Sequence, residues 1–126
     1  MKITCFEEIE AWKEARTLTK MVYSLTRREK FSRDFGLRDQ VQRASVSVMA
    51  NIAEGFDGGS DKAFVSFLNY AYRSATEVQS LLYVAADVDY IDEPDFHQGF
   101  DQALKAKRLI GGLMRYLRES HRHRTF

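Results

Sequence analysis

Apolar residues recur at alternating spacings of three and four along four segments of the chain, and this pattern predicts four α-helices. The predicted helices cover residues 6–28, 35–54, 61–90 and 94–120. The segments are similar in length and the connections between them are short. The pattern therefore predicts one all-α domain over residues 1–126, folded as an antiparallel up-down-up-down four-helix bundle.

Residues with particular backbone preferences mark the ends of these helices. Asp34 is suited to cap the second helix, and Pro94 suits the first turn of the fourth. Gly55 is predicted to end the second helix in a left-handed conformation. The pair Gly111-Gly112 lies inside the fourth helix, at a cost of about 2 kcal/mol relative to two alanines. Either the helix tolerates this pair with a slight bend, or another helix approaches closely there.

Charged residues are scarce in the second and third helices. Residues 41–56 carry only Arg43 and Glu54, and residues 63–86 carry only two charges. Every helix of a monomeric four-helix bundle needs a face that water can solvate. We therefore expect the outer faces of these two helices to be buried against copies of the same chain. The alternative is a monomer with one fully buried central helix.

Four polar residues of these helices form a predicted structural polar layer: Arg43, Asn51, Glu54 and Glu77. Asn51 occupies a position of the second helix where the repeat calls for an apolar residue, and such a residue can fix the register between helices. In antiparallel helices Arg43 comes close to Glu77, so we expect the two to form an ion pair. The alternative is that these residues line a ligand or catalytic site.

Motifs of common catalytic and metal sites are missing from the sequence. Its three histidines, His97, His121 and His123, form no ExxH pair of the kind that holds iron in helical bundles. The glycines after residue 54 lack the ending of a phosphate-binding loop, and no GxSxG or HExxH motif occurs. The acidic residues of 87–95 lack the glycine and the final glutamate of a calcium loop. We therefore expect no enzyme activity, no metal ion and no cofactor.

The charges are balanced overall but unevenly distributed. The chain has 19 Lys and Arg against 18 Asp and Glu, which excludes a strongly basic nucleic-acid binder as the simple explanation. Residues 87–101 contain six acids and no Lys or Arg, whereas residues 103–126 contain seven Lys and Arg and one acid. In the predicted bundle the basic first connection lies beside the acidic third one, so part of this asymmetry is neutralised within the molecule. The remainder suggests a nucleic-acid-binding surface made of Arg115, Arg118, Arg122 and Arg124.

The sequence also predicts where the protein resides. No run of 18 apolar residues occurs, so no transmembrane helix is expected. The N-terminal residues lack the apolar core of a signal peptide. The single cysteine, Cys5, excludes an internal disulfide. We expect a cytoplasmic protein that does not associate with membranes.

Four groups of residues form a recognisable set of motifs. They are Ile9-x-x-Trp12-x-x-Ala15-x-x-Leu18, Phe35-Gly36-Leu37-x-x-Gln40-x-x-Arg43-Ala44, Ser47-Val48-x-x-Asn51-Ile52-Ala53-Glu54-Gly55, and Phe64-x-x-Phe67-Leu68-x-x-Ala71-x-x-Ser74-x-x-Glu77. Together they resemble the four-helix-bundle family named after proteins encoded in intervening sequences of bacterial 23S rRNA genes. The resemblance covers most of the chain, and the fourth helix contributes little to it.

The resemblance implies a bacterial protein that assembles as a homopentameric ring and has no established catalytic residues. It also implies a relation to the accessory proteins of diversity-generating retroelements, which bind nucleic acid and a reverse transcriptase through a basic pentamer surface. Relatives often carry basic residues after the Glu-Gly pair, where this chain has Phe56-Asp57-Gly58-Gly59. We therefore expect a non-enzymatic homo-oligomeric scaffold with a nucleic-acid or protein partner. The alternative is an RNA- or DNA-binding accessory protein.

Overall fold

The computed structural model describes the backbone of residues 3–124 and the side chains of residues 3–120. Within this range the chain is all-helical and contains no strand. A short 3-10 turn at Phe6–Glu8 precedes five α-helices, which are α1 (Glu10–Thr26), α2 (Glu29–Arg33), α3 (Phe35–Asp57), α4 (Asp61–Asp87) and α5 (Glu93–Arg124). Helix α1 packs against α3 and α5, and α4 packs against the same two helices.

The first predicted helix, residues 6–28, is divided in two because Ile9 adopts an extended backbone between the 3-10 turn and α1. This bend buries the side chain of Ile9 in the core. The carboxylate of Glu8 accepts hydrogen bonds from the Thr4 hydroxyl at 2.7 Å, the Thr4 amide at 2.9 Å and the Cys5 amide at 3.2 Å. These donors lower the pKa of Glu8 to about 2. The Glu8 contacts therefore hold the start of the turn.

Helix α2 was not predicted from the sequence. It is a single short helix between α1 and α3, and its Phe31 is only 1% exposed. The Phe31 ring packs 5.4 Å from the ring of Tyr90, which follows α4. A run of five residues with one apolar anchor is too short to give a periodic signal. The core contact of Phe31 is what stabilises this turn.

Helix α3 extends past the predicted end at residue 54, and the prediction for Gly55 is wrong. Gly55 is a buried helical residue, and the left-handed glycine is Gly59, with a φ of 85°. A methyl group on Gly55 would lie 2.6 Å from the Cβ of Phe67. Gly55 is therefore required by the close packing of α4 against α3. Asp34 caps α3 as predicted, because its Oδ1 accepts the amide hydrogen of Leu37 at 3.1 Å.

The other helix ends differ from the predictions by a few residues. Helix α4 begins at Asp61, capped by Ser60, and ends at Asp87 rather than at residue 90. The chain turns there through Asp89, whose φ is 63°, and the turn places Ile91 in the core. Helix α5 begins at Glu93 and continues to Arg124, with Pro94 in its first turn as predicted.

No other helix of the chain packs closely against the glycine pair of α5 in the described residues. A methyl group on Gly111 or Gly112 would meet only the guanidinium of Arg115, 3.9 Å away in each case. The alternative of a close helix contact at this pair is therefore wrong. The close contact of α5 lies instead at Gly99, where a methyl group would come within 2.9 Å of Leu82 Cδ1.

The core lies between the four long helices and contains many alanines, which let the helix axes approach. The alanines with no exposed surface are Ala15, Ala71, Ala75, Ala85, Ala103 and Ala106. Helix α4 is not a central helix, because Tyr70, Ser80 and Val84 on its outer side are exposed. The alternative of one fully buried central helix is therefore wrong.

Candidate functional site

A row of hydrogen bonds joins the polar residues between α3 and α4. The Oγ atoms of Ser47 and Ser74 lie 2.9 Å apart. Asn51 donates through Nδ2 to both the Oγ and the backbone oxygen of Ser47, each at 2.9 Å. Further along, Gln40 donates to Glu77 at 3.5 Å. These short side chains allow the two helices to lie close together without burying a charge.

The structure separates the four residues of the predicted polar layer. Asn51 is half-buried in the row of hydrogen bonds, whereas Arg43, Glu54 and Glu77 are exposed. No ion pair joins Arg43 to Glu77 in the described part of the chain, so the predicted pair is wrong. Arg43 and Tyr23 of α1 line the same open groove. Asn51 bonds within α3, to Ser47, whereas Glu77 accepts a hydrogen bond across the interface from Gln40. A role of Asn51 in fixing the register between helices stays a prediction.

A second groove, between α4 and α5, carries a positioned lysine. Lys107 donates to Gln79 Oε1 at 3.0 Å, and its ammonium lies 4.9 Å from the centre of the Tyr72 ring. Gln79 is only 6% exposed and donates at 3.4 Å to the backbone oxygen of Phe100. The buried amide of Gln79 therefore holds the Lys107 ammonium at the groove. Its bond to Phe100 also links α4 to α5.

Two arginines complete this groove, which has a volume of about 220 Å³. Arg108 and Arg115 line it together with Leu104 and Gly111. The guanidinium of Arg115 is a neighbour of the glycine pair, 3.9 Å from where a methyl group on Gly111 or Gly112 would lie. No Asp or Glu lines the groove. We call the set Tyr72, Lys107, Arg108 and Arg115 the cationic groove.

The predicted basic surface coincides only in part with the cationic groove. Arg115 lines the groove, and Arg118 is exposed one turn further along α5. The side chains of Arg122 and Arg124, like those of His121 and His123, lie outside the described residues. Sequence reasoning missed Tyr72, Lys107 and Arg108. The spacing of seven between Arg108 and Arg115 places both on one helix face and was the available signal.

An aromatic cluster lies at the other end of the α4–α5 groove. The Tyr83 ring is 4.7 Å from the Phe96 ring and 5.8 Å from the Phe100 ring. Tyr83 is 53% exposed despite these contacts, and Val84 and Val88 beside it in sequence are also exposed. Aromatic residues are enriched in protein–protein interfaces. The exposed carboxylates of Asp87 and Asp89 flank Val88 in sequence.

An ion pair joins the first and third connections at this end of the molecule. Arg28 forms an ion pair with Asp95, which confirms that the basic first connection lies beside the acidic third one. The guanidinium holds the pKa of Asp95 below its usual range. Nearby, Tyr90 donates its hydroxyl to Asp34 at 2.9 Å, and this bond raises the pKa of Tyr90.

The family model described as 23S rRNA-intervening sequence protein matches residues 7–112, which is most of the chain. The protein belongs to this family. The sequence resemblance to the 23S rRNA intervening-sequence proteins is thereby confirmed. No curated protein matches the chain.

A solved structure shares the fold of this family member. It is a protein of unknown function from the S23 ribosomal protein family of Bacteroides thetaiotaomicron VPI-5482, with a TM-score of 0.77. The two chains are 19% identical, and the match covers 83% of this chain and 95% of the other. At this identity the likeness is one of fold.

The descriptions of the family and of the similar solved structure name no reaction. Among the described residues of this member, no three His, Cys, Asp or Glu side chains are grouped so that they could hold a metal ion. In the same part of the chain, no helix is long and apolar enough to span a membrane.

Proposed function

We propose that this family member is a non-enzymatic scaffold, a single antiparallel four-helix bundle that assembles with copies of itself into a pentameric ring in the bacterial cytoplasm. Its partner in the assembled state is a nucleic acid or a second protein. The observation that carries the proposal is the outer surface of α4, which is rich in exposed tyrosine and valine and poor in charge.

The antiparallel direction is supported by contacts in which residue numbers rise along one helix and fall along the next. Between α3 and α4 these pairs are Gln40 with Glu77, Ser47 with Ser74, and Gly55 with Phe67. Between α4 and α5 they are Tyr72 with Lys107, Gln79 with Phe100, and Leu82 with Gly99. Short connections between such helices give the up-down-up-down bundle.

Self-association is supported by where the exposed apolar residues lie. Tyr70, Tyr83 and Val84 are exposed on α4, and Val88 follows it directly. Aromatic residues are enriched and charged residues depleted at the core of protein interfaces. Between residues 63 and 86 the only charged side chains are Arg73 and Glu77. Water solvates such a face poorly, so contact with another copy lowers its free energy.

A closed ring requires two different faces that fit one another. One candidate is the aromatic cluster between α4 and α5. The other lies between α1 and α3, where Tyr23 and Val46 are exposed beside an open groove of about 500 Å³. Because α1 and α3 pack on the side of the core away from the α4–α5 groove, these two faces point in different directions. Such an arrangement suits head-to-tail contacts.

Native mass spectrometry of the full chain tests the assembly. A pentamer has a mass of about 73 kDa, five times the 14.6 kDa of one chain. We expect this species to persist on dilution to low micromolar concentration. A mass of 14.6 kDa under these conditions contradicts the proposed assembly.

The second candidate is an RNA- or DNA-binding accessory protein that uses a basic surface of the assembled ring. It is supported by Arg115 and Arg118, which are exposed and form no ion pair within the described residues. Phosphate contacts release counterions, so binding to RNA would weaken steeply as the salt concentration rises. Co-purified nucleic acid, read from the ratio of absorbance at the nucleic-acid and protein maxima, would favour this candidate over the scaffold.

A further inference from the structure

We propose that the cationic groove between α4 and α5 binds the phosphate ester of a nucleotide, either free or within a single-stranded RNA. This inference rests on the second candidate function and names the site at which that function would occur. It does not depend on the assembly, because all four residues of the groove belong to one chain.

The groove concentrates positive charge that the protein itself does not neutralise. Lys107, Arg108 and Arg115 line it, and none of them forms an ion pair with a carboxylate among the described residues. Lys105, on the same helix, is by contrast neutralised within the protein, because its ammonium forms an ion pair with Glu14 at 3.4 Å. Three uncompensated cations around one concavity attract an anion and repel one another in its absence.

One of these cations is held in place before any ligand binds. The buried amide of Gln79 fixes the ammonium of Lys107 at 3.0 Å, and the Tyr72 ring lies on another side of it. A cation that is already positioned loses less side-chain entropy on binding. Arg115 is exposed beside it and free to turn towards a bound phosphate.

The size of the groove indicates which part of a ligand it holds. Its volume of about 220 Å³ is below the range of roughly 300–1,000 Å³ that encloses a whole small molecule. A phosphate group fits within such a space, and the planar guanidinium groups suit its oxygens. The rest of the ligand must lie along the open surface, where the partly exposed Tyr72 offers a ring for stacking with a base.

The site is separate from the aromatic cluster, which is one of the two faces proposed for self-association. Tyr72 lies eleven residues before Tyr83 on α4, which is about 16 Å along a helix at 1.5 Å per residue. The cationic end and the aromatic end of the α4–α5 groove therefore present different chemistry to different ligands.

Fluorescence anisotropy with a labelled single-stranded RNA tests the site in the full chain. The measurement compares the protein with a Lys107→Gln, Arg115→Gln double variant at roughly 50 and 200 mM salt. We expect the double variant to bind at least tenfold more weakly at the lower salt. We also expect its salt slope to fall by about 0.7, the contribution of one phosphate contact with a single strand, because the groove holds one phosphate group.

A matched control removes the same charge elsewhere. The Lys20→Gln, Arg27→Gln double variant changes two exposed cations, neither of which lines the cationic groove. We expect it to bind RNA as the unchanged protein does. Circular dichroism checks that both double variants remain helical. Equal loss of binding in the two double variants would overturn the proposed site, because binding would then depend on the total charge and not on the position of the cations.

Single changes and competitors separate the features of the ligand. Tyr72→Leu should weaken RNA binding about fivefold or more, the equivalent of one stacked base, whereas Tyr72→Phe should retain it. Displacement of the RNA by a free mononucleotide, with weaker displacement by inorganic phosphate, identifies a free nucleotide as the ligand. Displacement only by unlabelled RNA identifies the strand.

Two negative results have different meanings. If the Lys107→Gln, Arg115→Gln variant binds RNA as the unchanged protein does, the proposed site is overturned. The nucleic-acid-binding function is not. An absence of RNA, mononucleotide and phosphate binding overturns both. Neither result bears on the assembly, which is measured separately by mass.

Discussion

Gly55 and Phe67 lie so close that a methyl group on Gly55 would be 2.6 Å from the Cβ of Phe67. The Phe64 ring, one turn earlier on α4, would be 3.0 Å from the same methyl group. Both neighbours, Phe64 and Phe67, belong to the packed helix α4. A small side-chain movement therefore cannot relieve the clash. The contact fixes how closely α3 and α4 approach.

Gly55→Ala is therefore expected to destabilise the protein by about 1–2 kcal/mol, because the cost of overpacking exceeds the gain in helix propensity. The melting temperature should fall by several degrees. Gly111→Ala is the matched control, since its methyl group meets only the flexible end of Arg115. It should stabilise α5 by about 0.5–1 kcal/mol. A destabilising Gly111→Ala or a stabilising Gly55→Ala would contradict the packing described above.

The hydrogen bond between Ser47 and Ser74 is expected to couple α3 to α4. In a double-mutant cycle of Ser47→Ala and Ser74→Ala, the two changes should show a coupling of about 0.5–1.5 kcal/mol in the free energy of unfolding. Urea denaturation of the four proteins measures it. Strictly additive single changes would mean that the two hydroxyls contribute independently.

The ion pair between Arg28 and Asp95 predicts a dependence of stability on pH. Because Arg28 lowers the pKa of Asp95, the folded state favours the carboxylate. The resulting stability is complete above the ordinary aspartate pKa of about 3.9 and is lost as the pH falls through the lower value of the folded state. Asp95→Asn should lower the melting temperature at neutral pH, and the difference from the unchanged protein should shrink as the solution is acidified.

Thermal melts over roughly pH 7 to 2 measure this difference. Asp101→Asn is the control, because Asp101 is an exposed residue of α5 with no ion pair in the described part of the chain. A difference between the Asp95 variant and the unchanged protein that stays constant over this range would contradict the linkage.

The outer surface of α4 predicts how assembly can be broken. Val84 is 43% exposed there, so Val84→Lys should change the stability of one chain by less than about 0.5 kcal/mol. In an assembled ring the same change buries a charge, and we expect the native mass to fall to that of one chain. Thr17→Lys on the exposed side of α1 is the control. An intact assembly of the Val84 variant would exclude this surface as the interface.

Much of the candidate site could not be predicted from sequence, and the reason lies in rotation about the helix axes. Arg43 and Glu77 are placed at similar heights by residue number, but Arg43 lines an open groove together with Tyr23 of α1 and forms no ion pair with Glu77 among the described residues. The sequence predicts Arg115 as part of a basic surface. That Lys107 and Tyr72 lie in the same groove follows only from the packing of α5 against α4. Periodicity gives the height and approximate face of a residue, not its neighbour across a helix interface.

The sequence by itself determined that the chain is all-helical, because apolar residues spaced by three and four form a stripe only on a helix. It also determined the cap at Asp34, since an aspartate there can accept the Leu37 amide without any distant contact. Only the tertiary structure decided that Phe31 anchors an extra helix and that Gly55 serves packing rather than helix termination. Both depend on side chains far away in the sequence, Tyr90 and Phe67, whose positions no local pattern specifies.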